Sequence, residues 1–296
     1  MDKDFGPVVV GTLVGTIARL VMLRVDHRQY PTFPQAYISH LALGFIAAFV
    51  GAVSVPALLA REFTAVTFLV LVAQQFREIR SLERDSLERL ERSQVVARGP
   101  DYIEGIAKSF EARNYMVMLT ALVSSAVTRG YGPLLGAAAG VATLAVLARF
   151  LQTRHLKNIA VVRSGRLNFR GTLLYVDDIM LMAVGLEEAR LVFLERGLGV
   201  VIEPKDDNAR DTLAGMGQRQ AIAHDASAAL GVRKDIGHPE FTPVVRRDLE
   251  TGRLGMVLVA MEPDLEPLVS AVRLTPVLES SRRVPLSTRA GRRAAD

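Results

Sequence analysis

Apolar residues gather in five runs within the first half of the chain, at 6–23, 38–60, 63–76, 116–127 and 131–151, and no comparable run follows. The first, second and fifth are long enough to cross a hydrocarbon core as helices rising about 1.5 Å per residue. The third and fourth fall short of the usual ~17 apolar residues and cross only if their helices continue into flanking sequence. From residue 155 the pattern changes to short apolar stretches broken by Gly, Pro and charge, as in a water-exposed domain. This layout predicts an α-helical multi-pass membrane bundle of about five spans, followed by a small cytoplasmic α+β or α/β domain.

The domain boundaries follow the same pattern. Residues 1–154 form the bundle and carry a charged cytoplasmic helical insertion at 77–114. Residues 155–281 form the second domain, and 282–296 a basic, disordered tail. A signal peptide is the competing reading of the first run. Its start (Asp2, Lys3, Asp4) lacks a basic region and Val25-Asp26-His27 is no cleavage site, which favours a retained helix. Arg19, one turn from the end of that run, is placed to snorkel to the interface.

Inside the second domain, 158–163 and 166–176 read as a hairpin around Ser164-Gly165, and 185–195 as a helix. A buried strand at 200–203 precedes a helical region at 206–230. A second hairpin is predicted from 244–248 and 256–261, and a helix over 264–273.

Charge sets an orientation. Lys/Arg cluster at Arg24 and Arg28, between Arg77 and Arg113, and at 154–166, whereas the intervening segments hold only Lys3, Arg61 and Arg129. The positive-inside rule then puts the N-terminus outside and the C-terminal domain in the cytoplasm of the cell membrane. Residues 155–281 hold 15 Lys/Arg against 18 Asp/Glu, so the basic balance of the chain is not a basic globular surface and no nucleic-acid partner is expected. Cysteine is absent, which excludes disulfides and thiolate chemistry. Tryptophan is absent too. Tyr30, Tyr37, Tyr102, Tyr115 and Tyr131 lie near the ends of apolar runs, where a headgroup-level ring belongs.

Small residues mark helix packing. Gly11 and Gly15 form one GxxxG motif, and Gly132, Gly136 and Gly140 form two in tandem. They serve packing inside the bundle or, alternatively, a homo-oligomer face. The runs contain few polar groups (Thr12, Thr16, Ser39, His40, Gln74, Gln75), and the mid-membrane ionisable residues of a coupled transporter are not evident.

In the insertion, Asp85 with Arg89 and Glu88 with Arg92 make i,i+4 pairs on a helix that Gly99-Pro100 ends. Asp101 and Glu104 then open a new helix in a capping-box arrangement, with Tyr102, Ile103, Ile106 and Phe110 on an apolar, interfacial face. Residues Tyr102, Ile103, Glu104, Gly105, Ile106 and Ala107 spell YIEGIA. On that hexapeptide, together with its length and hydrophobic layout, the chain resembles the YIEGIA family of membrane proteins from endospore-forming bacteria. The resemblance implies a sporulation-linked inner-membrane protein and carries over no catalytic residues.

Two groups of side chains are candidates for ligand binding. Asp177 and Asp178 end a predicted strand, and Lys205, Asp206, Asp207, Asn208, Arg210 and Asp211 open a helix after another. The two acidic pairs, if they meet, suit Mg²⁺ or a metal-bound phosphorylated ligand. Otherwise they are helix caps and local ion pairs. Gln218 and His224 belong to a second polar cluster on an Ala-rich helix. No HExxH, Walker A, dinucleotide or nucleophile-elbow motif is present, so no resident cofactor, metal or catalytic residue is assigned. The expected role is presentation of a cytoplasmic interaction domain to protein partners from the lipid bilayer. A ligand-sensing or enzymatic domain and a transporter are the alternatives.

Overall fold

The computed structural model describes residues 3–26, 36–92, 94–149, 154–233 and 241–295. Asp2, His27, Arg28 and Tyr30, named above, lie outside them. The chain divides into two compact units, residues 1–87 with 106–152 and residues 88–105 with 153–296. The charged insertion expected as one piece at 77–114 is thereby shared between them.

The five-span bundle does not form. Among the described residues, two helices are long and apolar enough to cross a membrane, over Phe5–Leu23 and Tyr37–Leu59. They belong to α1 (Phe5–Asp26) and α2 (Ala36–Leu59). The run at 63–76 is only the apolar front of α3 (Phe63–Glu91), whose remainder is charged. The run at 116–127 sits inside α4 (Pro100–Tyr131), flanked by Lys108, Arg113 and Arg129. The fifth run is cut at Gly132-Pro133, leaving α5 (Pro133–Ala148) with 16 residues. At ~1.5 Å per residue that is about 24 Å, less than a ~30 Å hydrocarbon core. The protein is a mixed helix and sheet structure.

The first unit packs α1, α2, α5 and the greater parts of α3 and α4 around Met22, Ala47, Ala48, Ala52, Phe76, Val117 and Ala121. Its glycines are points of close approach. A Cβ on Gly11 would come 2.8 Å from the Ala121 carbonyl, one on Gly15 2.7 Å from Ala48, and one on Gly140 2.5 Å from Val14. Gly136 likewise faces Thr128 and Ser124, whereas Gly132 (φ 92°) has no neighbour and makes the turn from α4 to α5. Arg19 does not snorkel. It is fully buried, its stem lies over Gly44, and its Nη2 is 3.0 Å from His40 Nδ1. The ring of Phe110 sits 5.7 Å from its guanidinium carbon.

The second unit holds, in order, α6 (Leu156–Ile159), β1 (Ala160–Gly165), β2 (Leu167–Arg170), β3 (Leu173–Val176), β4 (Ile179–Ala183), α7 (Glu187–Arg196) and β5 (Gly197–Pro204). There follow α8 (Asp207–Ala214), α9 (Met216–Leu230), β6 (Val244–Arg247), β7 (Leu254–Val259), α10 (Leu265–Leu274) and α11 (Arg289–Ala295). Every strand pairing is antiparallel, so the unit is α+β. One sheet runs β1-β5-β7-β6 and a second β2-β3-β4. The hairpin expected between 158–163 and 166–176 is absent, because β1 pairs with β5 while β2 turns into the other sheet.

Buried strands explain this. One face of β5 and β7 (Leu198, Val200, Ile202; Leu254, Met256, Leu258) is covered by α8, α9 and α10. The other face (Val201; Val257, Val259) is covered by β3, β4 and Phe193. Strands covered on both faces read as continuous apolar runs and take central places in a sheet. The C-terminal stretch holds a 3-10 turn at Pro285–Ser287 and α11, and the Leu286 N–H donates to Asn208 Oδ1 at 3.0 Å.

Candidate functional site

The segment Glu88–Gly105 lies against α9 in the second unit, and its side chains carry the titratable groups of greatest interest. Glu91, at the end of α3, accepts from the Arg98 backbone N–H at 2.7 Å and from Arg98 Nη1 at 2.5 Å. Both partners are largely buried. The Arg98 guanidinium lies 6.0 Å from the Tyr102 ring centroid. Gly99 (φ 84°) takes the left-handed backbone conformation that ends the loop, and Pro100 opens α4 with its φ already helical.

One turn into α4 the Tyr102 N–H donates to Gln220 Oε1 at 3.1 Å. The Tyr102 ring, fully buried, meets the His224 ring edge-on at 6.5 Å. Burial and the neighbouring Asp225 push the Tyr102 phenol well above its usual range. His224 Nδ1 is 2.8 Å from the Val96 carbonyl. A carbonyl only accepts, so Nδ1 carries the hydrogen and Nε2 the lone pair. Burial, then the Arg98 charge, lowers the His224 pKa and keeps the ring neutral at pH 7. Burial raises the Asp225 carboxyl to about 6, against the opposing pull of Arg98.

His224 also lines a cavity of about 350 Å³ between residues 94–96 and the C-terminal half of α9. Val95, Val96, Ala228, Val232 and Met261 give it an apolar body, with Gln94, Ser227 and His224 as polar groups. The His224 Nε2 lone pair is one acceptor among these polar groups. Such a site suits a small amphipathic ligand that brings its own N–H or O–H donor. A second hollow of about 380 Å³ beside α7 is more apolar, with Phe193 and Phe241 in its wall.

The hexapeptide thus begins as a docking element. Tyr102 and Ile103 are buried by protein, where an interfacial helix would have turned them to lipid. A Cβ added to Gly105 would stand 2.3 Å from Ser280 Oγ. A comparison with family models matches residues 7–288 to the model described as "YIEGIA protein". The chain belongs to the YIEGIA family. It is 40% identical over 285 residues to the "Uncharacterized protein YphB" of Bacillus subtilis (strain 168), covering 96% of both chains. No solved structure matches it.

Most other sequence candidates of this YIEGIA protein have local hydrogen-bond or ion-pair partners. Asp177, at φ 53°, accepts from Arg163 at 2.6 Å and from the Arg166 N–H at 2.8 Å. Burial would raise its pKa, but those two bonds outweigh it and hold the carboxyl low. Asp178 pairs with Arg253. Asp206 caps α8, its Oδ1 accepting from the Ala209 N–H at 2.7 Å. Lys205 Nζ donates to the Lys157 carbonyl and Arg210 Nη2 to the Glu250 carbonyl. Asp207 and Asp211 lie along α8.

Gln218, fully buried, donates to the Pro276 carbonyl at 3.1 Å and accepts from the Leu278 N–H at 2.8 Å. Among the described residues no group of three His, Asp or Glu comes together to hold a metal. Glu91 and Arg98 were missed. Sequence spacing offers no signal for them, since the Tyr102–Gln220 bond spans 118 positions.

Proposed function

We propose that this YIEGIA protein is a membrane-anchored interaction protein whose second unit works in water. The observation that carries this is the inverted packing of α1 and α2. Their small residues face inward, while Leu13 (58% exposed), Ile17 (56%), Ile38 (77%), Phe45 and Phe49 face outward. Exposed apolar faces of this extent suit a lipid environment, where close packing of small residues rather than burial of large ones joins helices. A two-helix anchor returns the chain to the side on which it began. The N-terminus and the second unit then share a side, which replaces the expectation of an outside N-terminus with a cytoplasmic C-terminal domain. The basic stretch from Arg77 to Arg98 makes that side the cytoplasm.

The chain should remain in the membrane pellet after alkaline carbonate extraction, and release into the supernatant would refute the anchor. The resemblance to a family of endospore-forming bacteria supports a role in sporulation. Deleting the gene should lower the yield of heat-resistant spores, and an unchanged yield counts against that role. A protein partner is tested by quantitative co-purification from sporulating cells. It should accompany the full chain and be lost from a chain ending at Gln152.

The cavity beside His224 favours a second reading in which the same unit senses a small ligand. His224→Phe, which fills the wall without the Nε2 acceptor, should then abolish a ligand-induced slowing of amide exchange across residues 94–102.

A further inference from the structure

Arg219 and Arg247 form a second polar site in the same unit, outside the cavity. Arg219 precedes Ile222 by three residues and so shares the face with which α9 covers the sheet. Arg247 follows Val245 by two and so shares its face of β6. Val245 packs against the cluster that contains Ile222, which places both arginines at the seam between α9 and β6. Each side chain is half-buried, and each Nε is shut off from solvent with no acceptor in hydrogen-bonding range.

The other arginines of the unit show what is missing. Arg98, Arg163 and Arg253 are paired with carboxylates, while Arg246 and Arg273 donate to the Leu181 and Val162 carbonyls. Among the described residues no carboxylate pairs with Arg219 or Arg247. Burial first, and the Arg247 charge second, lower the pKa of Arg219, with Asp101 acting weakly in the other direction. The N-cap of α9 is Gly215, which supplies no side-chain oxygen.

We propose that Arg219 and Arg247 bind a phosphate-class oxyanion. Two guanidinium forks offer several N–H donors to a tetrahedral group, and a dianion neutralises both charges where one carboxylate would not. Arg219 also lies in the first turn of α9, where the helix dipole adds potential of the same sign. The oxyanion arrives either free in solution or as a lipid headgroup. The site stands whether or not the reading of the cavity and the anchor does.

The test is calorimetric titration of the full chain in dodecyl maltoside, with sodium phosphate in one arm and water-soluble dihexanoyl phosphatidic acid in the other. Both are compared with sodium chloride at equal ionic strength. Saturable binding is expected, weakened at least tenfold by Arg219→Gln and by Arg247→Gln but unchanged by Arg196→Gln at the exposed end of α7. Tighter binding of the lipid assigns the headgroup, and equal binding assigns the free anion. No saturable heat in either arm, or equal weakening by all three substitutions, overturns the proposal. If a Gln variant loses its fold, the wild type decides: phosphate must slow amide exchange in β6 and the start of α9 relative to chloride, and no slowing overturns the site.

Discussion

At Gly105 two small effects oppose each other. Alanine is worth about 1 kcal/mol more than glycine inside a helix. Here its methyl would press on Ser280 Oγ, 2.3 Å away. Gly105→Ala should therefore destabilise the docked segment in the natural chain, and stabilise it by up to about 1 kcal/mol once Ser280→Gly removes the obstacle. Hydrogen exchange at residues 99–105 reads both signs, and additive effects would show that the two positions do not touch.

Asp225 gives a second test at this scale. Its carboxyl, raised by burial to about 6, holds its proton more tightly folded than unfolded, where the usual value is about 3.9. Folding thus takes up a proton between roughly pH 4 and 6, and stability falls as pH rises through that window. His224, lowered by burial, acts in the opposite sense and loses its contribution as pH drops below about 6.5. Asp225→Asn should stabilise α9 at pH 7.5 by on the order of 2 kcal/mol and have little effect at pH 4.5. An equal effect at both pH values would mean the carboxyl titrates normally.

Among the elements, α9 joins several parts of the second unit. It covers the sheet through Ile222 and Ala226, receives Tyr102 through Gln220 and His224, and fixes the 276–278 strand-like segment through Gln218. Gln218→Ala would leave the Leu278 N–H and the Pro276 carbonyl buried without partners, at ~1–3 kcal/mol each. Exchange at Leu278 should accelerate more than a hundredfold. Gln218→Glu keeps an acceptor for the Leu278 N–H but sets a buried carboxyl against the Pro276 carbonyl, so at neutral pH it should be at least as disruptive as Ala.

The elements also show what a sequence can reveal. The helix at 185–195, the strand at 200–203 and the 244–248/256–261 hairpin follow local periodicity and appear close to where it put them. The pairing of β1 with β5 does not, since alternation in β1 is the same whichever strand lies beside it. The Asp206 cap was legible from its position before a helix. The ion pairs of Asp177 and Asp178 were not, because Arg163 lies on β1 and Arg253 in the turn before β7, 14 and 75 positions away.

For the whole molecule, hydropathy located the apolar runs but not what bounds them. Arg61-Glu62, Gly132-Pro133 and the charges after Phe76 bound the shorter runs, so among the described residues two helices rather than five are long and apolar enough to span. Under the proposed two-helix anchor, parity sets the topology. The chain has no cysteine, so single substitutions Lys3→Cys and Arg196→Cys report on both ends directly. In intact cells both should resist a membrane-impermeant maleimide, and labelling of either one alone would rule out a two-helix anchor.

The chain passes between its two units three times, after Leu87, Gly105 and Gln152. No single cut can therefore release the second unit whole. A fragment starting at residue 153 lacks its own residues 88–105 and uncovers the bed of Gly217, Gln220 and His224 on which Tyr102 rests. That bed is then a receptor. A synthetic peptide of residues 88–105 should bind such a fragment in trans and restore its solubility, as a missing piece re-entering a split protein.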